Sequence, residues 1–223
     1  KRYLNDFFTG KIWDAFGRGE LYNDDPRLGD ARLCGTTASL CGIEKFAYEK
    51  NEELLDRSIQ CDLMLHAYMF TQSGIPILYS GDEVGQENDY TYHENPLKCE
   101  DSRYIHRGDM DWEKAENRTD NTTIQGKLYS AIQEMIEIRS RYKVFETGAD
   151  MWTLETWENN VLAIGRYLDG EKVIALFNFS EEPRMAWINE QDGEYEDLFT
   201  GKKMKASGIM MPAYGYYWLY KKF

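Results

Sequence analysis

The chain has 223 residues, a mass of 26.2 kDa and 42% hydrophobic residues, enough to bury one large or two small cores. No stretch approaches the ~20 apolar residues of a membrane helix, so a soluble, globular protein with no membrane partner is expected. A formal charge of -13 excludes nucleic acid as a partner, which would need clustered Lys and Arg to displace counterions, and leaves neutral or cationic ligands.

A short helix around Tyr3 to Phe8 opens the chain. The residues up to about 46, with Trp13, Phe16, Gly17, Gly19, Asp24-Asp25-Pro26, Gly29 and Gly35, then read as a turn-rich, loop-like insertion. From Glu53 to Gln72, Leu55, Ile59, Leu63, Met64, Ala67 and Phe70 recur at spacings of three and four, which predicts a helix with Gly74 as its cap. Ile75, Ile77, Leu78 and Tyr79 make a nearly continuous apolar run, the pattern of a strand covered on both faces, as in a parallel sheet. Its carboxyl end runs into Ser80-Gly81-Asp82-Glu83, and in α/β barrels that end carries the loops that meet substrate.

From there to about Thr122 the chain has no helix or strand period but many Asp, Glu, Asn, Tyr and Arg, the profile of a long functional loop. Residues 123–143 are again helical, with Leu128, Ile132, Met135 and Ile136 on one face. After Gly148 the period falls to two. Residues 161–164, 173–177 and 214–220 are predicted strands of a small antiparallel domain, with turns at Asp169-Gly170 and Gly201-Lys202.

Cysteines 34, 41, 61 and 99 have neither Cys-x-x-Cys spacing nor a compact disulfide framework, so reduced and mostly buried thiols are expected. No His, Cys, Asp or Glu spacing suits zinc or calcium, and neither a metal nor a cofactor is expected. Structural hydrogen bonding is expected of His93 and His106 rather than catalysis. The triplets at Asn117, Asn121 and Asn178 fit the glycosylation pattern, which chance also produces. The chain starts at Lys1 with no charged-then-apolar leader, so a cytoplasmic, bacterial setting is expected with the true start unseen.

Two carboxyl groups that work together as acid and base must converge on one bond from either side. Asp82 and Glu83 are neighbours leaving a strand and point in different directions, so the expected role of the pair is to hydrogen-bond loops behind the reacting groups.

The segment Gly74-Ile75-Pro76-Ile77-Leu78-Tyr79-Ser80-Gly81-Asp82-Glu83 resembles the eighth barrel strand of the α-amylase superfamily, glycoside hydrolase family 13. Glu87-Asn88-Asp89-Tyr90, Asp101-Ser102-Arg103-Tyr104-Ile105-His106-Arg107 and Met110-Asp111-Trp112 resemble its amylosucrase and sucrose hydrolase branch. The resemblance implies α/β architecture plus an all-β part. Residues 1–46 would be part of a subdomain inserted after barrel strand 7, 47–146 the last part of a (β/α)8 TIM barrel, and 147–223 a C-terminal β-sandwich. A complete barrel takes ~250 residues, so the chain is expected to be a C-terminal portion whose partner is the missing N-terminal part of the same enzyme.

The nucleophilic Asp, the general acid Glu and a stabilising Asp would all precede Lys1, so the resemblance assigns no catalytic residue here. It implies that Arg103 closes the bottom of the sugar pocket against an upstream Asp, a task suited to a planar guanidinium; the competing reading is a surface ion pair with Glu100 or Asp101. Arg32 with Asp30 would face the acceptor side, or Arg32 would make a structural ion pair. Lys1 stands where relatives carry an Arg of the acceptor channel, and Tyr3 where they carry an aromatic. Tyr79, Asp82, Glu83, Asp101 and His106 would support the site from behind. The implied function is a retaining, α-glucoside-active enzyme acting on sucrose or an α-glucan, inactive as this portion alone. The alternatives are an α-1,4-glucan hydrolase and a non-catalytic sugar-binding module, the latter requiring a closed core without an unpaired strand.

Overall fold

The computed structural model describes residues 2–223 other than 26, 28, 29 and 192, with the backbone alone of residue 30. The chain divides into two compact units, residues 1–62 with 78–129 and residues 63–77 with 130–223.

The first unit opens with α1 (Arg2–Phe8), then an antiparallel hairpin of β1 (Glu20–Asp25) and β2 (Asp30–Cys34) in which Leu21 faces Leu33 and Tyr22 faces Arg32. Two short helices come next, α2 (Thr37–Leu40) and α3 (Ile43–Tyr48). Thr36 caps α2 by accepting from the Ser39 amide at 3.2 Å. This is more regular structure than the loop-like insertion expected of residues 1–46. The sequence hides it because the hairpin is buried by non-local packing: Cys34 joins Tyr92 and Ile105 in one cluster, with Tyr22 and Tyr104 against it.

The helix α4 (Glu52–Thr71) lies within a residue of its predicted span. The aperiodic stretch after residue 80 is ordered by single turns: α5 (Trp112–Ala115) and 3-10 turns at Asp82–Val84, Tyr90–Glu94, Ser102–His106 and Glu116–Thr119. Aspartates cap three of them: Asp89 accepts from the Thr91 amide, Asp101 from Arg103 and Asp111 from Lys114, while Asp120, just past the last turn, accepts from Thr122, all at 2.9–3.0 Å. A short carboxylate that bonds backbone two or three residues on organises a chain without any apolar period.

The second helix of the expected pair, α6 (Ile124–Arg141), is again close to prediction. Beyond it lie β3 (Asp150–Leu154), β4 (Val161–Leu168), β5 (Glu171–Asn178), β6 (Arg184–Ala186), β7 (Glu194–Asp197), β8 (Lys203–Lys205), β9 (Ile209–Met211) and β10 (Tyr216–Lys222). All pair antiparallel, in a six-stranded sheet of order β3-β4-β5-β10-β7-β8 and a two-stranded β6-β9 sheet. The β4–β5 turn uses Asp169 and Gly170, both at positive φ, as its dipeptide predicts. Strand β10 starts at Tyr216 rather than 214 because Tyr214, at φ 50, forms the preceding turn.

Both faces of the sheet are covered. Val161, Ala163, Ile174, Leu176 and Leu219 share one buried cluster with Ala186, Ile209 and Met211 of the small sheet. On the other face Tyr68 of α4 meets Phe177 edge-on at 5.7 Å, and Phe145 meets the fully buried Trp218 at 4.8 Å.

Arg166 of β4 is buried on that second face, and its hydrogen bonds go to backbone carbonyls. It donates to the carbonyls of Thr71 (2.9 Å), Val144 (2.8 Å) and Glu146 (2.8 Å). Burial, with a contribution from neighbouring Arg139, pushes its guanidinium down to about 10, still charged at neutral pH. Arg139 donates to the carbonyls of Phe70 and of Gly74, the latter at 2.9 Å.

The predicted strand at 75–79 does not form. Among the described residues no strand pairs with it, and Ile75 and Ile77 are 85% and 81% exposed. The exposure alternates from Ile75 to Tyr79, as in an extended chain, but neither face is covered as the apolar run predicts. A strand's amides and carbonyls need neighbouring strands, and among the described residues none pairs with the segment.

Arg166→Met should destabilise the protein by about 3 kcal/mol or more in urea unfolding, because three buried carbonyls lose their donor. Arg166→Lys should not restore the loss, since an ammonium cannot span three carbonyls in the plane of the fork.

Candidate functional site

The loop that leaves Tyr79 is a tight glycine turn. Gly81 (φ +101) and Gly85 (φ +65) bracket the Asp82–Val84 turn, and a Cβ at Gly85 would meet Leu128 Cδ1 at 2.8 Å. Glu83 folds back to accept from the Gly81 amide at 2.9 Å, so it braces its own turn rather than pointing outward beside Asp82. The Tyr79 ring packs edge-on against His106 at 5.7 Å. The His106 Nδ1 is buried without a hydrogen-bond partner among the described residues, and burial, then Arg107, lowers its pKa.

Beyond Gly85 the chain is pinned by Asn88. Its Oδ1 accepts from the Thr36 amide at 2.8 Å, its Nδ2 donates to the Arg18 carbonyl at 2.6 Å and to Tyr90 Oη at 3.2 Å, and its own amide donates to Ser39 Oγ at 2.9 Å. Tyr90 Oη in turn donates to Glu44 Oε1 at 2.8 Å, and burial pushes the phenol up to about 12. Two clefts of about 310 and 810 Å3 open on either side of Glu87 and Asn88. The smaller is acidic, with Asp89, Asp109 and Asp111 beside a Lys114–Glu87 pair of 2.9 Å. The larger carries Arg18, Glu20, Glu44, Tyr48 and Tyr90.

Arg103 grips Asp101 through Nε–Oδ1 at 2.8 Å and Nη2–Oδ2 at 2.6 Å while its guanidinium lies 4.4 Å over the Tyr22 ring. Hydrogen bonding from Arg103, as the largest cause, holds the Asp101 carboxyl at about 2. Arg32 is exposed on β2 as the cross-strand partner of the same Tyr22. The hairpin therefore brings Arg32, Tyr22 and Arg103 together, 71 positions apart from Arg32 to Arg103 by their numbers 32 and 103. The pairing observed for Arg103 is the ion pair with Asp101 that the sequence offered as the competing reading. Its side chain stays 42% exposed. Tyr3 is exposed at the surface of α1. The side chain of Asp30, together with Lys1 and Gly29, lies outside the described residues.

His93 Nε2 sits 2.9 Å from Glu20 Oε1, and Glu20 also accepts from Tyr92 Oη. Cys34, Cys41 and Cys61 are buried free thiols, whereas Cys99 is partly exposed. Among the described residues no group of three His, Cys, Asp or Glu could hold a metal ion, and no helix is long and apolar enough to cross a membrane. Chemically, the loop offers amide, phenol, carboxylate and guanidinium groups to a neutral, hydroxyl-rich ligand. Sequence reasoning missed Glu44 and Tyr22, and quoted Asn88 and Tyr90 within a motif without giving either a role. Asn88 meets Thr36 across 52 positions, a contact with no local signature.

No protein-family model matches the chain. It is 29% identical over 144 residues to the cyclomaltodextrinase of Thermoanaerobacter pseudethanolicus, covering 65% of this chain and 21% of that protein. It is 31% identical over 120 residues to the 1,4-alpha-glucan branching enzyme GlgB of Corynebacterium diphtheriae, covering 52% of this chain and 14% of the relative. The crystal structure of AmyP in complex with maltose superposes with a TM-score of 0.59 at 16% identity over 75% of this chain and 37% of that one, a likeness of fold. The chain thus spans about a fifth or less of the curated relatives it matches. Both relatives are glucan-active enzymes by name, and the likeness covers one stretch of each.

Asn88→Ala should cost about 1–3 kcal/mol and quicken proteolysis at residues 86–91, because the Thr36 amide and the Arg18 carbonyl both lose a partner. The Asp101 carboxyl is depressed below its ordinary 3.8, so whatever order the Arg103 pair supports is complete above about pH 4 and lost only as pH falls through about 2. An NMR titration of Asp101 should show a midpoint near 2, and a midpoint near 3.8 would contradict the pairing.

Proposed function

We propose that this chain is the C-terminal portion of a retaining, α-glucoside-active enzyme, with sucrose as the favoured donor and an α-glucan as the second candidate. Residues 1–46 would belong to a subdomain inserted after barrel strand 7, 47–146 to the end of a (β/α)8 barrel and 147–223 to a β-sandwich. The observation that carries this reading is the uncovered apolar segment Ile75–Tyr79, which runs into a carboxylate-bearing glycine turn. A self-contained sugar-binding module has no use for such a segment, whereas a barrel strand has neighbours on both sides. The short match to much longer relatives supports the same reading.

The nucleophile and the acid would then lie upstream, and the present residues shape the pocket. Arg103 closes its floor, with Asp101 and the Tyr22 ring fixing the guanidinium plane. Arg32, and Asp30 with it, would serve the acceptor side. Tyr79, Asp82, Glu83 and His106 support the loop from behind. A glycosyl group held on the upstream Asp is then released to water or to another sugar. The motif likeness after Glu83 favours sucrose, and the two curated relatives, named for a cyclomaltodextrin and an α-glucan, favour the second substrate.

The intact protein, assayed in parallel on sucrose and on maltohexaose, should release fructose from sucrose, and the 223-residue chain alone should do neither reaction. Hydrolysis of maltohexaose without fructose release would move the assignment to the glucan hydrolase. Arg103→Ala should lower kcat/KM roughly ten- to a hundredfold, with no rescue by Arg103→Lys.

A further inference from the structure

Three successive residues of β1 each hold a different part of the long loop. The Glu20 carboxylate takes the turn at Tyr90–Glu94, with Oε2 accepting from Tyr92 Oη and Oε1 2.9 Å from His93 Nε2. The Leu21 carbonyl accepts from Ser102 Oγ at 2.9 Å, and the Tyr22 ring lies 4.4 Å from the Arg103 guanidinium. Ser102 and Arg103 open the turn Ser102–His106, so one short strand clasps two separate turns.

The clasp is firm at one end only. Pairing with β2 runs in register from Glu20–Cys34 to Tyr22–Arg32, then slips before Asp25–Asp30, with Asn23 at φ 53 in the gap. Tyr22 stands on the last regular rung, so its place is set from the Glu20 side. Glu20 and Tyr22 are two residues apart and share a face of the strand. Tyr92, only 3% exposed, belongs to the cluster of Cys34 and Ile105 against which Tyr22 packs. The His93 ring lies over that of Tyr92 at 4.1 Å, so one carboxylate holds both rings by their polar ends. Burial, then Glu20, pushes the Tyr92 phenol up, which keeps it a donor. Arg103 needs such support: Asp101 fixes one edge of its guanidinium, the Tyr22 ring constrains one face, and the side chain is otherwise open to solvent.

We propose that Glu20 is a positioning residue for Arg103, acting through Tyr92 and Tyr22 rather than by touching it. Without the carboxylate the Tyr92 hydroxyl loses its acceptor, the shared face of β1 loosens, and the Tyr22 ring no longer holds the guanidinium plane. The inference rests on the proposed place of Arg103 at the pocket floor and adds the residue that governs it.

The test is a double-mutant cycle in the intact protein, on whichever of sucrose and maltohexaose it turns over. Glu20→Ala should lower kcat/KM roughly three- to tenfold, and in an Arg103→Ala background it should lower it no further. Glu20→Gln, which keeps an oxygen for Tyr92 Oη, should retain most of the activity, and Tyr92→Phe, which keeps the ring, should lose about as much as Glu20→Ala. Amide exchange gives a second reading that needs no turnover: protection of residues 102–107 should fall in Glu20→Ala and hold in Glu20→Gln. Circular dichroism checks folding, and Tyr92→Phe carries the test if Glu20→Ala does not fold. Equal losses with and without Arg103, or unchanged exchange at 102–107 in a folded variant, would overturn the positioning role. Arg103→Ala with undiminished turnover would sink the pocket reading of Arg103, and the exchange result would then decide the clasp alone.

Discussion

The last carbonyls of an α-helix have no donor within the helix, and at the end of α4 two arginines supply one. Arg139 reaches Phe70 and Gly74, and Arg166 reaches Thr71 while also holding Val144 and Glu146. Cations at a helix carboxyl terminus also oppose its dipole. Because Arg166 sits within β4 and Arg139 within α6, one set of hydrogen bonds joins helix end, sheet and second helix, and it fixes the point from which Ile75–Tyr79 departs. The cost is burial, which makes both guanidinium groups hold their protons less tightly than usual, with Arg139 adding to the effect at Arg166.

The segment leaving that anchor is apolar and uncovered, and the long loop after it is acidic and well ordered. The loop's order comes from Asp side chains folded onto nearby amides and from Asn88, which draws Arg18, Thr36, Ser39 and Tyr90 to one place. A net charge of -13 would otherwise spread such a loop apart. Capping turns that repulsion to use, since a carboxylate bonded to backbone amides is stabilised where it stands. The same economy recurs at Asp101, which caps a turn and orients Arg103 with one carboxyl group.

The long helices were legible because their apolar spacing is local and strong, and β4, β5 and β10 because their runs are long and flanked by turn dipeptides. Strands β3, β6, β7, β8 and β9 were not, since most are three to five residues long and several are exposed along much of their length. The hairpin of β1 and β2 escaped for a different reason: its burial comes from Tyr92, Tyr104 and Ile105, seventy or so positions away, an order-of-magnitude separation no window of sequence can register. The segment 75–79 is the informative failure. Its sequence reads as a buried strand, and among the described residues no strand flanks it, with Ile75 and Ile77 exposed. Arg103 was legible as an ion-pairing residue, but the Tyr22 ring beneath it was not, because the hairpin that delivers Tyr22 was itself unseen.

Whether 75–79 is a barrel strand parted from its neighbours is tested most directly by amide hydrogen exchange across the segment, measured in the 223-residue chain and in a longer protein that includes the upstream sequence. Fast exchange is expected in the chain alone and strong protection in the longer protein, where strands flank the segment on both sides. Protection already present in the chain alone, or exchange equally fast in both, would contradict it.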